Sequence, residues 1–297
     1  MSVTNFRTND AGSGANFSKV TFQTLQEKKL AHRPVTALTA YDYATARLVD
    51  EAGVDLILVG DSLAMVVMGY ETTLPVTVDE MLHHTRAVRR AVKRGMVAAD
   101  MPFGSYQTSI HEGVANAVRF VKEAGAEAVK IEGGAVRCEL VERLVSAEIP
   151  VIGHLGLTPQ SVHRMGGYKV QGKTAAAADE LARDAQMLEA AGASAVVLEG
   201  MPRELAAQIT AELRIPTIGI GAGPECDGQI LVFHDLVNLS FSPRAKFVRQ
   251  YGDAAALFRS AIEGYVQDVE ERAFPNDAES YHSDSPSRYT RSASSVG

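Results

Sequence analysis

The chain has 297 residues, with 29 Lys and Arg against 36 Asp and Glu, a formal net charge of −7. This acidic balance, a 6% aromatic content and the absence of Trp argue against a nucleic-acid or anionic-membrane surface, which needs clustered basic side chains. Two cysteines, Cys138 and Cys226, are too few for a disulfide framework and suit a reducing cytoplasm.

Residues 1–20 are polar, rich in Ser, Asn and Gly, and lack the apolar stretch of a signal peptide. No apolar run approaches the roughly 20 residues of a membrane span. From Thr21 onward, short apolar runs alternate with longer helical patterns. The runs are Val35–Ala40, Asp55–Gly60, Met96–Asp100, Ala128–Glu132, Pro150–Leu155, Ala195–Glu199 and Thr217–Ile220, with a weaker one at Lys246–Val248. They are rich in Val, Ile and Leu and do not strictly alternate, as expected of parallel strands covered on both faces.

Between them lie Val78–Val92, Ile110–Glu123, Arg137–Glu148, Ala177–Ala191 and Pro202–Leu213, whose apolar residues recur at three and four. Gly53, Gly125 and Gly192 each stand one step beyond a helical pattern and just before a strand, the place of a left-handed helix cap. This repeated helix–Gly–strand junction predicts an α/β fold, a (β/α)8 TIM barrel over residues 21–275, rather than an open doubly wound sheet. Segments 1–20 and 276–297 read as tails with too little apolar surface to offset their ordering entropy.

The ends of the strands carry the chemistry. Strand two runs out into Asp61 and Ser62, strand three ends on Asp100, strand four on Glu132 and strand six on Glu199. In a barrel these ends meet at one mouth, where active sites are built. Strand side chains alternate, so Lys130 faces the same way as Glu132, one layer deeper. Carboxylates from adjacent strands repel one another unless a cation sits among them. An all-oxygen set of this kind suits Mg²⁺, with Mn²⁺ or Co²⁺ as alternatives that ligand type alone does not separate. The plainer reading is that one or two of the acids merely cap the following helix. Four acids with a Lys on the same face favour a site.

Other candidates are weaker. His154, after strand five, reads equally well as a substrate contact or a core residue. His83 and His84 are neighbours within a helical pattern and read as surface or packing residues. Gly219–Gly223 fits either a phosphate cradle or a tight strand exit. Cys226 has no base beside it in sequence and reads as packing. Met65 and Met68 read as core or lid.

A series of motifs then carries a family resemblance. Thr-Ala-Tyr-Asp-Tyr (39–43), Val-Gly-Asp-Ser-Leu (59–63), Thr-Leu-Pro-Val-Thr (73–77), Ala-Asp-Met-Pro-Phe (99–103) and Val-Lys-Ile-Glu-Gly-Gly (129–134) occur in order. Gly-His-Leu-Gly-Leu-Thr-Pro-Gln-Ser (153–161), Gly-Gly-Tyr-Lys-Val-Gln-Gly (166–172), Ile-Gly-Ile-Gly-Ala-Gly (218–223) and Asp-Gly-Gln-Ile-Leu-Val (227–232) follow. Over about Thr21 to Phe274 the chain resembles the ketopantoate hydroxymethyltransferases. It departs from their pattern at Asp-Leu-Val-Asn-Leu-Ser (235–240) and around Pro243, which leaves the eighth unit less defined.

The resemblance implies a barrel of the phosphoenolpyruvate/pyruvate type, assembled as a cytoplasmic homodecamer. It implies transfer of a hydroxymethyl group from 5,10-methylenetetrahydrofolate to 3-methyl-2-oxobutanoate through a Mg²⁺-stabilised enolate. The product would be 2-dehydropantoate, on the way to pantothenate and coenzyme A. By motif, Asp61, Asp100 and Glu132 match the metal acids. Asp61, Ser62, Asp100 and Lys130 match the substrate contacts, and Glu199 matches the proton acceptor. Two other readings are a folate-independent lyase of the same superfamily and a catalytically inactive barrel.

Overall fold

The computed structural model describes residues 18–241 and 243–282. In chain order the first half contains α1 (Phe22–Leu30), β1 (Val35–Thr39), α2 (Tyr43–Glu51), β2 (Leu56–Val59), α3 (Leu63–Val66), α4 (Val78–Ala91), β3 (Met96–Asp100), α5 (Ile110–Ala124) and β4 (Ala128–Glu132). The second half contains α6 (Cys138–Ser146), β5 (Val151–Gly156), α7 (Val162–Met165), α8 (Ala175–Ala190), β6 (Ala195–Glu199), α9 (Arg203–Glu212), β7 (Thr217–Ile220), β8 (Gly228–Leu231), α10 (Phe233–Leu236) and α11 (Ala254–Glu270). The strands close into one parallel barrel in sequence order, with β8 paired to β1.

Local chemistry explains the element ends. Thr77 and Glu80 form a reciprocal capping box that starts α4. Ser109 caps α5 by accepting from the Glu112 amide. Gly53, Gly125 and Gly192 all have positive φ (86°, 73° and 100°), as their positions after helical patterns predict.

Two apolar layers form. One lies between the strands and the outer helices and includes Val59, Val97, Val129, Ile131 and Leu198. The other fills the barrel interior with Val35, Ala37, Leu56, Leu58, Met96, Ala98, Ala128, Ile152, Ala195, Val197, Ile218 and Ile230. Strands β1 to β6 contribute alternate residues to each layer, while β7 and β8 supply only the interior one. Continuing that alternation upward brings Asp100, Lys130, Glu132, His154 and Glu199 inward at the mouth. The floor is closed by α1, whose Leu25 is buried, and by Val20, whose amide donates to the Arg94 carbonyl at 2.8 Å.

The eighth strand corrects the sequence reading. Lys246–Val248 is not a strand; β8 is Gly228–Leu231, registered against Ile218 of β7 and Val35 of β1. The loop 221–227 between β7 and β8 holds no helix, so the β–α cadence that places the other strands breaks there. Helices α1 and α11 are likewise absent from the sequence patterns above. In this single chain α11 leaves Leu257, Phe258, Ile262 and Tyr265 exposed. Most of the expected tails falls outside the described residues. Of their described parts, Lys19 pairs with Glu127 at 2.8 Å, and residues 276–282 are exposed around a short turn at Asp277–Glu279.

Candidate active site

A cavity of about 900 Å³ opens at the carboxyl ends of the strands. It is lined by Asp61, Ser62, Asp100, Lys130, Glu132 and Glu199, together with His154 and Tyr168. Every site residue expected from sequence therefore reaches one mouth.

Strand pairing sets the spacing. Asp100 is registered with Lys130, Glu132 with His154, and Gly156 with Glu199. Lys130 Nζ lies 2.9 Å from Asp100 Oδ1, with both side chains buried. Burial alone would push the Lys130 amine down; the charges of Asp100, Glu132 and Asp61 outweigh it and hold the amine above its ordinary value. Asp61 follows β2, and its amide donates to Asp100 Oδ2 at 3.0 Å. Burial, then repulsion from Asp100 and Glu132, raises the Asp61 carboxyl well above the usual range. Ser62 Oγ is 2.8 Å from the hydroxyl of the buried Tyr41.

His154 links two acids. Its Nδ1 lies 3.3 Å from Glu132 Oε1, and its Nε2 lies 3.1 Å from Glu199 Oε2. Burial and the nearby Lys130 ammonium disfavour the imidazolium, but the two carboxylates prevail and raise the ring to about 9. Burial would raise Glu132, but hydrogen bonding and charge from His154, with Lys130 and the Gln160 amide, hold it below the usual carboxylate value.

The deep part of the cavity thus sets four carboxyl groups around Lys130 and the His154 ring, crowded enough that Asp61 holds its proton well above the usual carboxylate range. This crowding favours a further positive charge. Asp100 Oδ1, Glu132 Oε1 and His154 Nε2 are fully buried, and their ion-pair contacts with Lys130, His154 and Glu199 are not aligned as hydrogen bonds. Among the described residues, no group of three or more Asp, Glu, His or Cys side chains is placed, as the side chains stand, to hold a metal ion. The all-oxygen chemistry of Asp61, Asp100 and Glu132, with buried oxygens short of aligned hydrogen bonds beside an open cavity, is of the kind that suits Mg²⁺, which keeps water and substrate oxygens in several positions.

The weaker candidates resolve as follows. His84 Nδ1 contacts the Tyr41 carbonyl at 2.6 Å, a packing role. The space a side chain would need at Gly221 is filled by the Phe247 ring, which favours a tight strand exit over a phosphate cradle. Cys226 packs against Gly219 in the layer outside the barrel, and burial pushes its thiol up. Met65 lines the cavity, its Sδ 3.7 Å from the Tyr168 hydroxyl. Sequence reasoning missed Tyr41, Tyr106 and Gln160. Tyr41 and Gln160 stand inside the quoted motifs, but nothing in their local pattern separates them from a core aromatic or a turn residue.

Comparison with known proteins adds to this geometry. The sequence model of the family Ketopantoate hydroxymethyltransferase matches residues 19–277. The 3-methyl-2-oxobutanoate hydroxymethyltransferase of Koribacter versatilis is 65% identical over 265 residues, 89% of this chain and 90% of that one. The enzyme of the same name from Geobacter metallireducens is 53% identical over 263 residues, 89% of this chain and 98% of that one. Among solved structures, 2,3-dimethylmalate lyase, of the PEP mutase/isocitrate lyase superfamily, superposes with a TM-score of 0.57 at 19% identity, over 83% of this chain and 87% of that one. Phosphonopyruvate hydrolase in complex with oxalate and Mg²⁺ gives 0.56 at 17% identity, over 88% and 93%. These two likenesses show the barrel fold, and the relatives show an enzyme. The chain belongs to the ketopantoate hydroxymethyltransferase family.

Proposed function

We propose that the chain transfers a hydroxymethyl group from 5,10-methylenetetrahydrofolate to 3-methyl-2-oxobutanoate, forming 2-dehydropantoate for pantothenate and coenzyme A synthesis. The observation that carries this reading is the convergence of Asp61, Asp100, Lys130, Glu132 and Glu199 on one cavity in a chain of this family.

Asp61, Asp100 and Glu132 are the residues that would hold Mg²⁺, with Mn²⁺ or Co²⁺ as substitutes. When bound, the ion supplies a Lewis acid that lowers the energy of the enolate formed from the 2-oxo acid. Phosphonopyruvate hydrolase, which shares the barrel fold, is a protein solved in complex with Mg²⁺ and oxalate, a small dicarboxylate. Lys130, Ser62, Asp61 and Asp100 orient the substrate carboxylate and keto oxygen. Lys130 and Ser62 add hydrogen-bond donors where negative charge develops. Glu199 removes the proton at C3, the carbon beside the keto group. It comes from β6, away from the three acids, and its pairing with His154 holds the carboxylate toward the cavity. Water releases the one-carbon unit from the two folate nitrogens at the oxidation level of formaldehyde and supplies the hydroxyl oxygen; the C3 carbanion adds to that carbon, and tetrahydrofolate leaves with its nitrogens protonated.

Replacing Glu199→Gln should abolish deuterium exchange at C3 of 3-methyl-2-oxobutanoate while Mg²⁺ binding persists. Unchanged exchange would remove Glu199 from the role of base. Turnover without methylenetetrahydrofolate would restore the lyase reading.

No helix among the described residues is long and apolar enough to cross a membrane. The free thiols of Cys138 and Cys226 support a cytoplasmic setting. The uncovered apolar side chains of α11 support assembly with further copies, as the homodecamer that family membership implies.

A further inference from the structure

Gln160 lies in the turn after β5, far in sequence from the acids, and only 6% of it is exposed. Its backbone amide donates to Glu132 Oε2 at 3.0 Å. Its side-chain Nε2 donates to Asp61 Oδ2 at 2.9 Å and to the Met101 carbonyl at 3.0 Å. Its Oε1 accepts from the Tyr106 hydroxyl at 2.7 Å and from Gln107 Nε2 at 2.9 Å. Each hydrogen of the amide and its oxygen has a partner.

The neighbours dictate which way this amide points. Gln107 Oε1 accepts the Gly104 amide at 2.7 Å, which turns its NH₂ toward Gln160. The Tyr106 hydroxyl accepts the Glu132 amide at 3.0 Å, which leaves its single proton for Gln160 Oε1. A flipped Gln160 would set its oxygen against the Asp61 carboxylate and the Met101 carbonyl. The Tyr106 ring is itself held, with the Arg137 guanidinium 5.2 Å from its centroid.

From this network we infer that Gln160 is a positioning residue for the metal centre. It fixes the orientation of Asp61 and Glu132 together, one through its side chain and the other through its backbone. The inference rests on the reading of Asp61 and Glu132 as metal acids. A neutral amide suits the task because it orients a carboxylate without cancelling the negative charge that attracts the ion. A Lys or Arg in its place would compete with the ion for the same charge. Outer groups of this kind characteristically govern metal affinity.

The test is a Mn²⁺ titration of the full-length protein, without substrate, followed by electron paramagnetic resonance. Gln160→Met keeps the length of the side chain and removes both N–H donors. Binding should weaken by roughly 10–100-fold, the range typical for loss of such partners. Tyr106→Phe removes the hydroxyl that locks the amide and should weaken binding by a smaller factor. Circular dichroism should remain that of the wild type in both. If Gln160→Met does not fold, Tyr106→Phe decides, since its ring still packs. Wild-type Mn²⁺ affinity in a folded variant overturns the inference and leaves the metal reading intact. Absence of Mn²⁺ binding in the wild type overturns both.

Discussion

The imidazole of His154 joins Glu199 to the acid cluster: its Nε2 is 3.1 Å from Glu199 Oε2, and its Nδ1 is 3.3 Å from Glu132 Oε1. One ring thus couples the proposed base to a proposed metal acid. His154→Gln loses this double link while keeping a polar side chain. It should slow C3 deuterium exchange by roughly 10–100-fold, as expected for a group that orients a reacting side chain. Pairing raises the folded ring from its ordinary 6.5 to about 9 in the metal-free protein. The sign follows: its stabilisation is complete below pH 6.5, shrinks as pH rises, and is gone above about 9. The wild-type advantage in Tm over His154→Gln should follow the same course. An advantage that grows with pH would contradict a charged His154.

Asp55 sits at the opposite end of the barrel and governs stability rather than chemistry. Its buried carboxylate pairs with Lys28 and with Arg94 Nη2 at 3.1 Å, and accepts the Thr36 amide at 3.0 Å and its hydroxyl at 2.9 Å. Burial alone would raise the carboxyl, but the donors from Lys28, Thr36 and Arg94 hold it below the ordinary value of 3.8. Asp55→Asn leaves two cations facing a neutral group and should cost about 3–5 kcal/mol at pH 7. Because the folded carboxyl is depressed, this contribution is present above the unfolded value and is lost as pH falls through the folded one. Thermal unfolding of both proteins from pH 7 to 3 should show the gap constant down to about pH 4, then narrowing. A gap that widens in acid would refute the assignment.

Gly156 sets the contact between the exits of β5 and β6. Its φ is +90°, and an added Cβ would stand 2.1 Å from the Glu199 carbonyl oxygen. The Leu157 amide donates to that same oxygen at 2.8 Å. Gly156→Ala should cost about 1–3 kcal/mol from backbone strain alone. The clash should also shift Glu199 relative to His154. A lower Tm together with slower C3 exchange, measured where the variant is still folded, is the expected result. Normal exchange with a lower Tm would show that the backbone contact does not position Glu199.

Much of the barrel was legible because parallel strands covered on both faces leave dense Val, Ile and Leu runs, as in Ala128–Glu132 and Ala195–Glu199. Strand eight was not. Gly228–Leu231 is short and follows β7 without a helix, so neither apolar density nor spacing marks it. Helix α11 escaped notice for a different reason: its apolar residues are not covered within this chain, so they do not read as a core-facing stripe.

The site divides along the same line. The sequence alone determined that acids stand at the ends of β2, β3, β4 and β6, and that Lys130 and Glu132 share a face, because side-chain alternation is local geometry. It left His154 open between core and site, and passed over Gln160 as one polar residue in a turn. Only closure of the barrel decided those two. Register across β4, β5 and β6 places the His154 ring between Glu132 and Glu199. The turn after β5 carries Gln160 across the mouth to Asp61, its donor to that carboxylate 99 residues away in sequence. Such partners are chosen by packing in three dimensions, where a buried polar group must find a complementary one or bear the cost of desolvation.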